Sequence, residues 1–301
     1  CRVNGEPYTK FVEAGMKTNL ILINNDIVDA EEINIHPFNR GHQFGDGVFE
    51  QVPVYNGKAL HPEAHMEHLL NAMVKIKIPA IYMVEEIVHC LRRFIAAAEI
   101  KEGMVYTQIT RGIGAYELDF PEQCEPELIM QAVLPDPALA GQRKKGVSLI
   151  TVPDERGTHC EWNTLNRLPE ILARHTARVG QCYDALFLRE EKVTEAPEAA
   201  FVLVKDEILW TFPMKFGGVH DLLYRRLIQE KLAGELDLQM IEKTFTKEFA
   251  LGAEEAFLCG PRCGILPVVK IDRRPVGEGK PGKTTRQLAQ LLEEYVQEKT
   301  R

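Results

Sequence analysis

The chain has 301 residues, of which 45% are hydrophobic and 27% charged, a balance typical of a globular protein with room for two domains. Its formal net charge of -8 argues against a nucleic-acid-binding function, because phosphate neutralisation needs clustered Lys and Arg, and the basic runs here are short. No apolar stretch approaches the ~20 residues that span a bilayer. The seven cysteines are scattered and odd in number, so we expect a cytoplasmic protein without membrane contact or a disulfide framework.

The first half of the chain has the pattern of a strand-rich α+β domain. The alternating segment Gly47 to Tyr55 runs into Asn56-Gly57, the strongest hairpin signal in the sequence. Apolar residues recur at helical spacing from His61 to Ile78 and from Met83 to Ile100. Further strands are predicted at Leu20 to Val28 (as a short hairpin), Met104 to Arg111 and Glu127 to Val133.

The second half begins after a segment containing Pro135, Asp136 and Pro137, which predicts an extended, non-helical linker. We therefore divide the chain into an N-terminal α+β domain (1–133), a linker (134–141) and a C-terminal domain (142–301). Strands are predicted at Val147 to Val152, Ala185 to Leu188, Ala256 to Leu258 and Leu266 to Ile271, and helices at Asn166 to Val179 and Thr284 to Glu298.

Three motifs carry a family resemblance that covers nearly the whole chain. They are Arg40-Gly41-His42-Gln43-Phe44-Gly45-Asp46-Gly47-Val48-Phe49-Glu50, Thr164-Leu165-Asn166 and Thr194-Glu195-Ala196. Together they resemble the class IV aminotransferases, which include D-amino-acid and branched-chain aminotransferases and aminodeoxychorismate lyase. The resemblance implies a two-domain α+β fold of the D-amino-acid aminotransferase type, a homodimer, and a cleft at the domain interface.

The family holds pyridoxal phosphate on a lysine in the pattern Lys-Ser/Thr-x-Asn, and the matching position here is Asn163. An asparagine amide cannot form a Schiff base, because its nitrogen lone pair is delocalised. We therefore expect Lys-dependent chemistry to be lost and no cofactor to be bound. The other changes described below favour natural divergence over a single designed replacement.

The resemblance also assigns the remaining cofactor contacts. Glu195 matches the carboxylate that keeps the pyridine nitrogen protonated, although a carboxylate at a turn is an equal alternative. His68 stands where a phosphate-binding arginine is usual, and histidine is a poor substitute because it lacks the guanidinium fork.

The family's second phosphate contact is a Gly-Ile/Val-Thr-Arg turn, which reads Gly218-Val219-His220-Asp221 here. The third, a Thr- or Ser-rich loop, has become Cys259-Gly260-Pro261-Arg262-Cys263. We expect Arg262 and the backbone of Gly218 and Val219 to hold a small anionic molecule instead, unless Asp221 neutralises Arg262.

Other candidate cleft residues are His42, Arg111, Cys160 and Cys259. Arg111 could face the cleft or support its strand, and we favour support. Cys160 and Cys259 could be nucleophiles activated by Arg262, or simply small buried residues. His61, His65 and His68 share one helix face, which we interpret as a partly solvated face and not as a metal site.

The sequence therefore predicts a class IV aminotransferase homologue that is either a repurposed enzyme or a small-molecule-binding pseudoenzyme. One alternative is a pyridoxal-phosphate-dependent aminotransferase or lyase acting on amino acids. The other is a ligand-free scaffold or subunit partner.

Overall fold

The computed structural model describes residues 16–17, 19–216, 219–220 and 223–301. The chain divides into two compact units. The first unit comprises the described part of Cys1–Pro135 together with Trp162–Asn166 and Lys299–Arg301, and the second comprises Asp136–Glu161 and Arg167–Glu298. Within these residues, no helix combines the length and apolar character that crossing a bilayer requires.

The first unit is built on a six-stranded antiparallel sheet with the strand order β2-β1-β6-β5-β3-β4. Its strands are β1 (Leu20–Ile23), β2 (Asp26–Asp29), β3 (Gly47–Tyr55), β4 (Lys58–Ala59), β5 (Gly103–Thr110) and β6 (Glu127–Val133), and its helices are α1 (Arg40–Phe44), α2 (Pro62–Lys75) and α3 (Val84–Ala97). Helix α3 buries Ile87, Leu91 and Phe94 at helical spacing against the apolar core of this unit.

The second unit contains a ten-stranded mixed sheet. Its strands are β7 (Val147–Pro153), β8 (Asp184–Arg189), β9 (Lys192–Val193), β10 (Glu195–Ala196), β11 (Ala199–Lys205), β12 (Ile208–Thr211), β13 (Gln239–Glu242), β14 (Glu255–Gly260), β15 (Gly264–Ile271) and β16 (Arg274–Pro275). The main path runs β13-β12-β11-β14-β15-β7-β8-β9, with β10 beside β11 and β16 beside β15.

The helices of the second unit are α4 (Leu139–Lys145), α5 (Leu168–Val179), α6 (Leu223–Leu227), α7 (Lys247–Leu251) and α8 (Lys283–Thr300). A π-helical turn, Ile228–Leu232, follows α6. Helix α5 packs its small residues Ala173 and Ala177 against Phe187 of β8. The two-sheet, mixed helix and strand architecture confirms the predicted α+β class.

One prediction about the connection between the two halves is wrong. Residues 134–141 were expected to be extended throughout, but α4 begins at Leu139. The Asp136 carboxylate accepts a hydrogen bond from the Ala138 N–H at 2.9 Å, and its carbonyl accepts one from the Leu139 N–H at 3.1 Å. The segment Asp136-Pro137 therefore starts a helix, because proline's fixed φ is compatible with a first helical turn.

Candidate functional site

Asn163 directly follows the 3₁₀ turn Cys160–Trp162, in a segment that is hydrogen-bonded to the start of β3. Thr164 forms an antiparallel bridge with Val48, the Asn163 carbonyl accepts from the Phe49 N–H at 2.8 Å, and the Leu165 N–H donates to the Gly47 carbonyl at 3.0 Å. Asn163 has φ = 45°, a left-handed conformation that asparagine tolerates better than most residues. The residue is 3% exposed, and its Oδ1 has no hydrogen-bond partner in the described structure.

Glu195 occupies the first position of β10 and is buried in the second unit. Its Oε1 accepts from Arg156 Nη1 at 2.6 Å and lies 2.7 Å from His220 Nδ1. The His220 backbone N–H lies 2.9 Å and 3.0 Å from its two carboxylate oxygens. Burial alone would raise the pKa of Glu195, but His220 and Arg156 outweigh it and hold that pKa below its ordinary value. Glu195 is therefore an ionised carboxylate.

Arg156, which the sequence analysis missed, is the cation of this cluster. Its Nε and Nη2 each lie 3.0 Å from the buried carboxylate of Asp154, and its guanidinium carbon lies 4.1 Å from the centre of the Phe187 ring. Burial would lower its pKa, but Glu195 and Asp154 together raise it, so the guanidinium stays protonated. The short spacing Asp154-x-Arg156, seven residues before Asn163, is the signal that could have indicated it.

His220 bridges two buried carboxylates. Because an ionised carboxylate only accepts hydrogen bonds, the Nδ1 atom of His220 carries the proton shared with Glu195. Its Nε2 lies 3.9 Å from Oε1 of Glu170 on α5, and Oε2 of Glu170 has no hydrogen-bond partner among the described residues. Val219 beside it is buried, whereas Gly218 and Asp221 lie outside the described residues.

His68 and His65 contact Glu50, all three belonging to the first unit. Their Nδ1 atoms lie 2.6 Å and 3.1 Å from the two carboxylate oxygens of Glu50. Burial would raise the pKa of Glu50, but the two histidine hydrogen bonds lower it to about 2. The interpretation of His61, His65 and His68 as a partly solvated face was wrong for His65, which is 5% exposed because it turns inward to Glu50. The described residues contain no cluster of side chains suited to a metal ion.

Arg262 contacts a carboxylate in the part of the chain that the structure describes, and its expected effect on Cys160 and Cys259 is not seen in their pKa values. Arg262 Nη1 lies 3.4 Å from Oε2 of Glu198, a carboxylate that Arg167 and Arg174 also contact. Burial raises the pKa of Cys160 to about 12 and also raises the pKa of Cys259, so both thiols stay protonated near neutral pH.

His42 and Arg111 belong to the first unit. His42 is an exposed residue in α1. Arg111 is 2% exposed and bonds both oxygens of Asp46, at 2.7 Å and 3.0 Å, together with the carbonyls of Ile76 and Lys77. These contacts tie the end of β5 to the end of α2.

Comparison with known proteins places these residues in context. The family model described as amino-transferase class IV matches residues 47–271. The D-alanine aminotransferase of Staphylococcus aureus (strain MSSA476) is 31% identical over 278 residues, which cover 92% of this chain and 98% of that protein. The D-alanine aminotransferase of Listeria monocytogenes (serotype 1/2a, strain 10403S) is 31% identical over 283 residues, covering 93% and 96%.

Solved structures share the fold. The branched-chain amino acid aminotransferase of Escherichia coli superposes with a TM-score of 0.88 at 22% identity, covering 95% of this chain and 97% of that one. The branched-chain aminotransferase of Thermoproteus uzoniensis, solved with norvaline, gives a TM-score of 0.84 at 24% identity and covers 93% and 95%.

Proposed function

We propose that this chain, which belongs to the class IV aminotransferase family, no longer carries out the lysine-dependent pyridoxal phosphate chemistry of that family. Its function is to bind a small anionic molecule, either as a repurposed enzyme or as a pseudoenzyme. The described residues do not fit pyridoxal phosphate, and three observations support that conclusion.

The observation that carries the proposal is that His220 bonds to the Glu195 carboxylate through both its backbone N–H and its imidazole. The family turn that contains His220 offers backbone N–H groups to a phosphate, but here the His220 N–H and its imidazole are both directed at a carboxylate. A phosphate dianion at that N–H would stand against the negative charge of Glu195. The same contacts, with Arg156, lower the pKa of Glu195 and make it a weaker base for holding a proton on a pyridine nitrogen.

The second observation is Asn163. A covalent link to the cofactor needs an amine at this position, and the amide supplies none. The buried, unpartnered Oδ1 is instead a hydrogen-bond acceptor suited to a donor group.

The third observation is the pairing of His68 with Glu50. The imidazole stands where the family has an arginine, and its Nδ1 is directed at a buried carboxylate of its own unit. A single imidazole cannot reproduce the two parallel N–H donors that a guanidinium presents to a phosphate.

The test is whether the purified protein takes up pyridoxal phosphate. We expect the protein to be colourless as purified and to show no saturable absorbance change when pyridoxal phosphate is added. A visible band that hydroxylamine removes would overturn the proposal and favour the ordinary pyridoxal-phosphate-dependent aminotransferase or lyase. Mass spectrometry under native conditions provides the matched readout for ligands without colour. A protein that carries no mass beyond its own chain and binds no anion would favour the scaffold alternative.

A further inference from the structure

We propose that a cavity within the first unit binds a small aromatic carboxylate, at a site separate from the residues that the family uses for its cofactor. The cavity has a volume of about 400 Å³, within the ~300–1,000 Å³ of small-molecule sites. Its walls come from α1 and the turn into β3, the end of α2, the loop after β5 and the segment 162–166.

The position of the cavity separates it from Asn163. Trp162, Thr164 and Asn166 line it, and Asn163 does not. The ligand proposed here would therefore contact the neighbours of Asn163 in the chain and not Asn163 itself. The inference does not depend on whether the protein binds pyridoxal phosphate.

The charge of the lining selects an anion. Arg40, Arg111, Lys75 and Lys77 line the cavity, and Asp46 is the one carboxylate among the lining residues. Asp46 is already shared, since its Oδ2 lies 2.8 Å from Arg40 Nε and 2.7 Å from Arg111 Nε. Neither Lys75 nor Lys77 forms an ion pair within the described residues, so the two ammonium groups leave a local positive charge.

Arg40 adds uncommitted donors to this wall. The side chain is buried, and its guanidinium uses Nε for Asp46 and Nη1 for the Glu117 carbonyl, 2.7 Å away. Its Nη2 makes no hydrogen bond in the part of the chain that the structure describes. A buried guanidinium with spare N–H groups is a suitable partner for a carboxylate.

The rest of the lining favours an aromatic ring on the ligand. Phe44, Phe120 and Trp162 contribute aromatic rings. Two of these rings are held in place, because the Arg40 guanidinium lies 4.9 Å from the centre of Phe44 and that of Arg111 lies 4.1 Å from the centre of Phe120. Leu118 in the wall is 89% exposed, and a bound ring would cover it. A ligand with a carboxylate and an aromatic ring would match both the cationic and the aromatic residues of the lining.

The chain offers a direct reporter. It contains two tryptophans, Trp162 at the cavity and Trp210 in the second unit, where its ring lies 5.0 Å from that of Phe249. In a Trp210→Phe variant, Trp162 is the sole source of tryptophan fluorescence. We expect benzoate to quench that fluorescence saturably, and benzyl alcohol, which has the ring without the charge, to have little effect. A Trp162→Phe variant should lose the benzoate response and keep the signal of Trp210.

Charge variants complete the test. In the Trp210→Phe background, Lys75→Gln and Lys77→Gln should each weaken benzoate binding about tenfold, as expected for one charge-assisted contact. Lys101→Gln, an exposed lysine of the same unit, is the matched control and should change nothing. Absence of saturable benzoate quenching, or equal binding by the Lys75, Lys77 and Lys101 variants, would overturn the inference. Saturable quenching by inorganic phosphate but not by benzoate would also overturn it, since the site would then bind a bare anion. None of these results would alter the pyridoxal phosphate test.

Discussion

The Nδ1 atom of His68 lies 2.6 Å from Oε2 of Glu50, a buried residue of β3. With His65 on its other oxygen, Glu50 has a pKa of about 2 against an ordinary 4.5. A carboxyl whose pKa is lowered on folding stabilises the protein above its unfolded-state pKa, and that stabilisation is lost as the pH falls toward the folded-state pKa. The contribution of Glu50 is therefore complete above about pH 4.5 and declines between that pH and about 2.

We predict that Glu50→Gln lowers the free energy of unfolding at pH 7 by about 3.5 kcal/mol at most, because each unit of pKa shift corresponds to ~1.4 kcal/mol. The difference from wild type should narrow as the pH falls below about 4.5. Urea denaturation at a series of pH values measures it. Glu63→Gln, in an exposed pair with Arg92, is the control and should have little effect. An equal difference at pH 3 and pH 7 would contradict the assignment.

We predict that Asn163→Lys alone does not restore transamination. The substitution restores an amine, but His220 still contacts the Glu195 carboxylate and His68 still contacts the Glu50 carboxylate. Production of keto acid from alanine of either configuration or from branched-chain amino acids, with pyridoxal phosphate added, is the measurement. Asn163→Gln is the control for any effect on folding. Keto acid above the level of that control would mean that Asn163 was the sole defect.

We predict a homodimer that uses the outer face of α5. Leu168, Ile171, Leu172 and Val179 lie at helical spacing on this face and are 52–70% exposed, although the other face of the helix is buried. Light scattering at micromolar concentration should give twice the 34.1 kDa chain mass. An Ile171→Glu, Leu172→Glu double variant should give one chain mass, whereas Lys101→Glu should remain dimeric. A wild-type particle of 34.1 kDa would refute the prediction.

We predict that Cys160, Cys259 and Cys263 resist alkylation in the native protein. Burial raises the pKa of Cys160 and of Cys263 to about 12 and raises that of Cys259 as well. At pH 8 a thiol of pKa 12 is thiolate in about one molecule in ten thousand. Iodoacetamide labelling mapped by mass spectrometry should find Cys124, half-buried in the loop after β5, labelled before these three, which should react only in urea. Native labelling of Cys160 as fast as Cys124 would indicate an activated nucleophile.

The regular elements could be predicted from sequence because their signals are local. The alternation in Gly47 to Tyr55 and the Asn56-Gly57 turn correspond to β3, its turn and β4. The extended linker was predicted wrongly because Asp136-Pro137 suits both a linker and the first turn of a helix, and the sequence pattern does not distinguish them.

The pairs that define the candidate site could not be predicted in this way. Glu195 meets Arg156 and His220 only after β10 and the flanking segments have packed, so the partners are far apart in sequence. The pattern marked Glu195 and His68 as positions of interest, but it did not indicate that each would bond a buried group of its own unit. Their partners follow from tertiary packing, which periodicity does not encode.

Because residues 162–166 belong to the first unit, β3 cannot complete its pairing until those residues have left the ribosome. The N–H of Phe49 and the carbonyl of Gly47, at the start of β3, bond to Asn163 and Leu165. At synthesis rates of ~5–20 residues per second, those partners follow β3 by about 10 s. During that interval the nascent strand has an unpaired edge of backbone N–H and C=O groups, the kind of edge that recruits strands from other chains. The start of β3 is therefore a point at which the newly made protein is exposed to aggregation and to binding by chaperones.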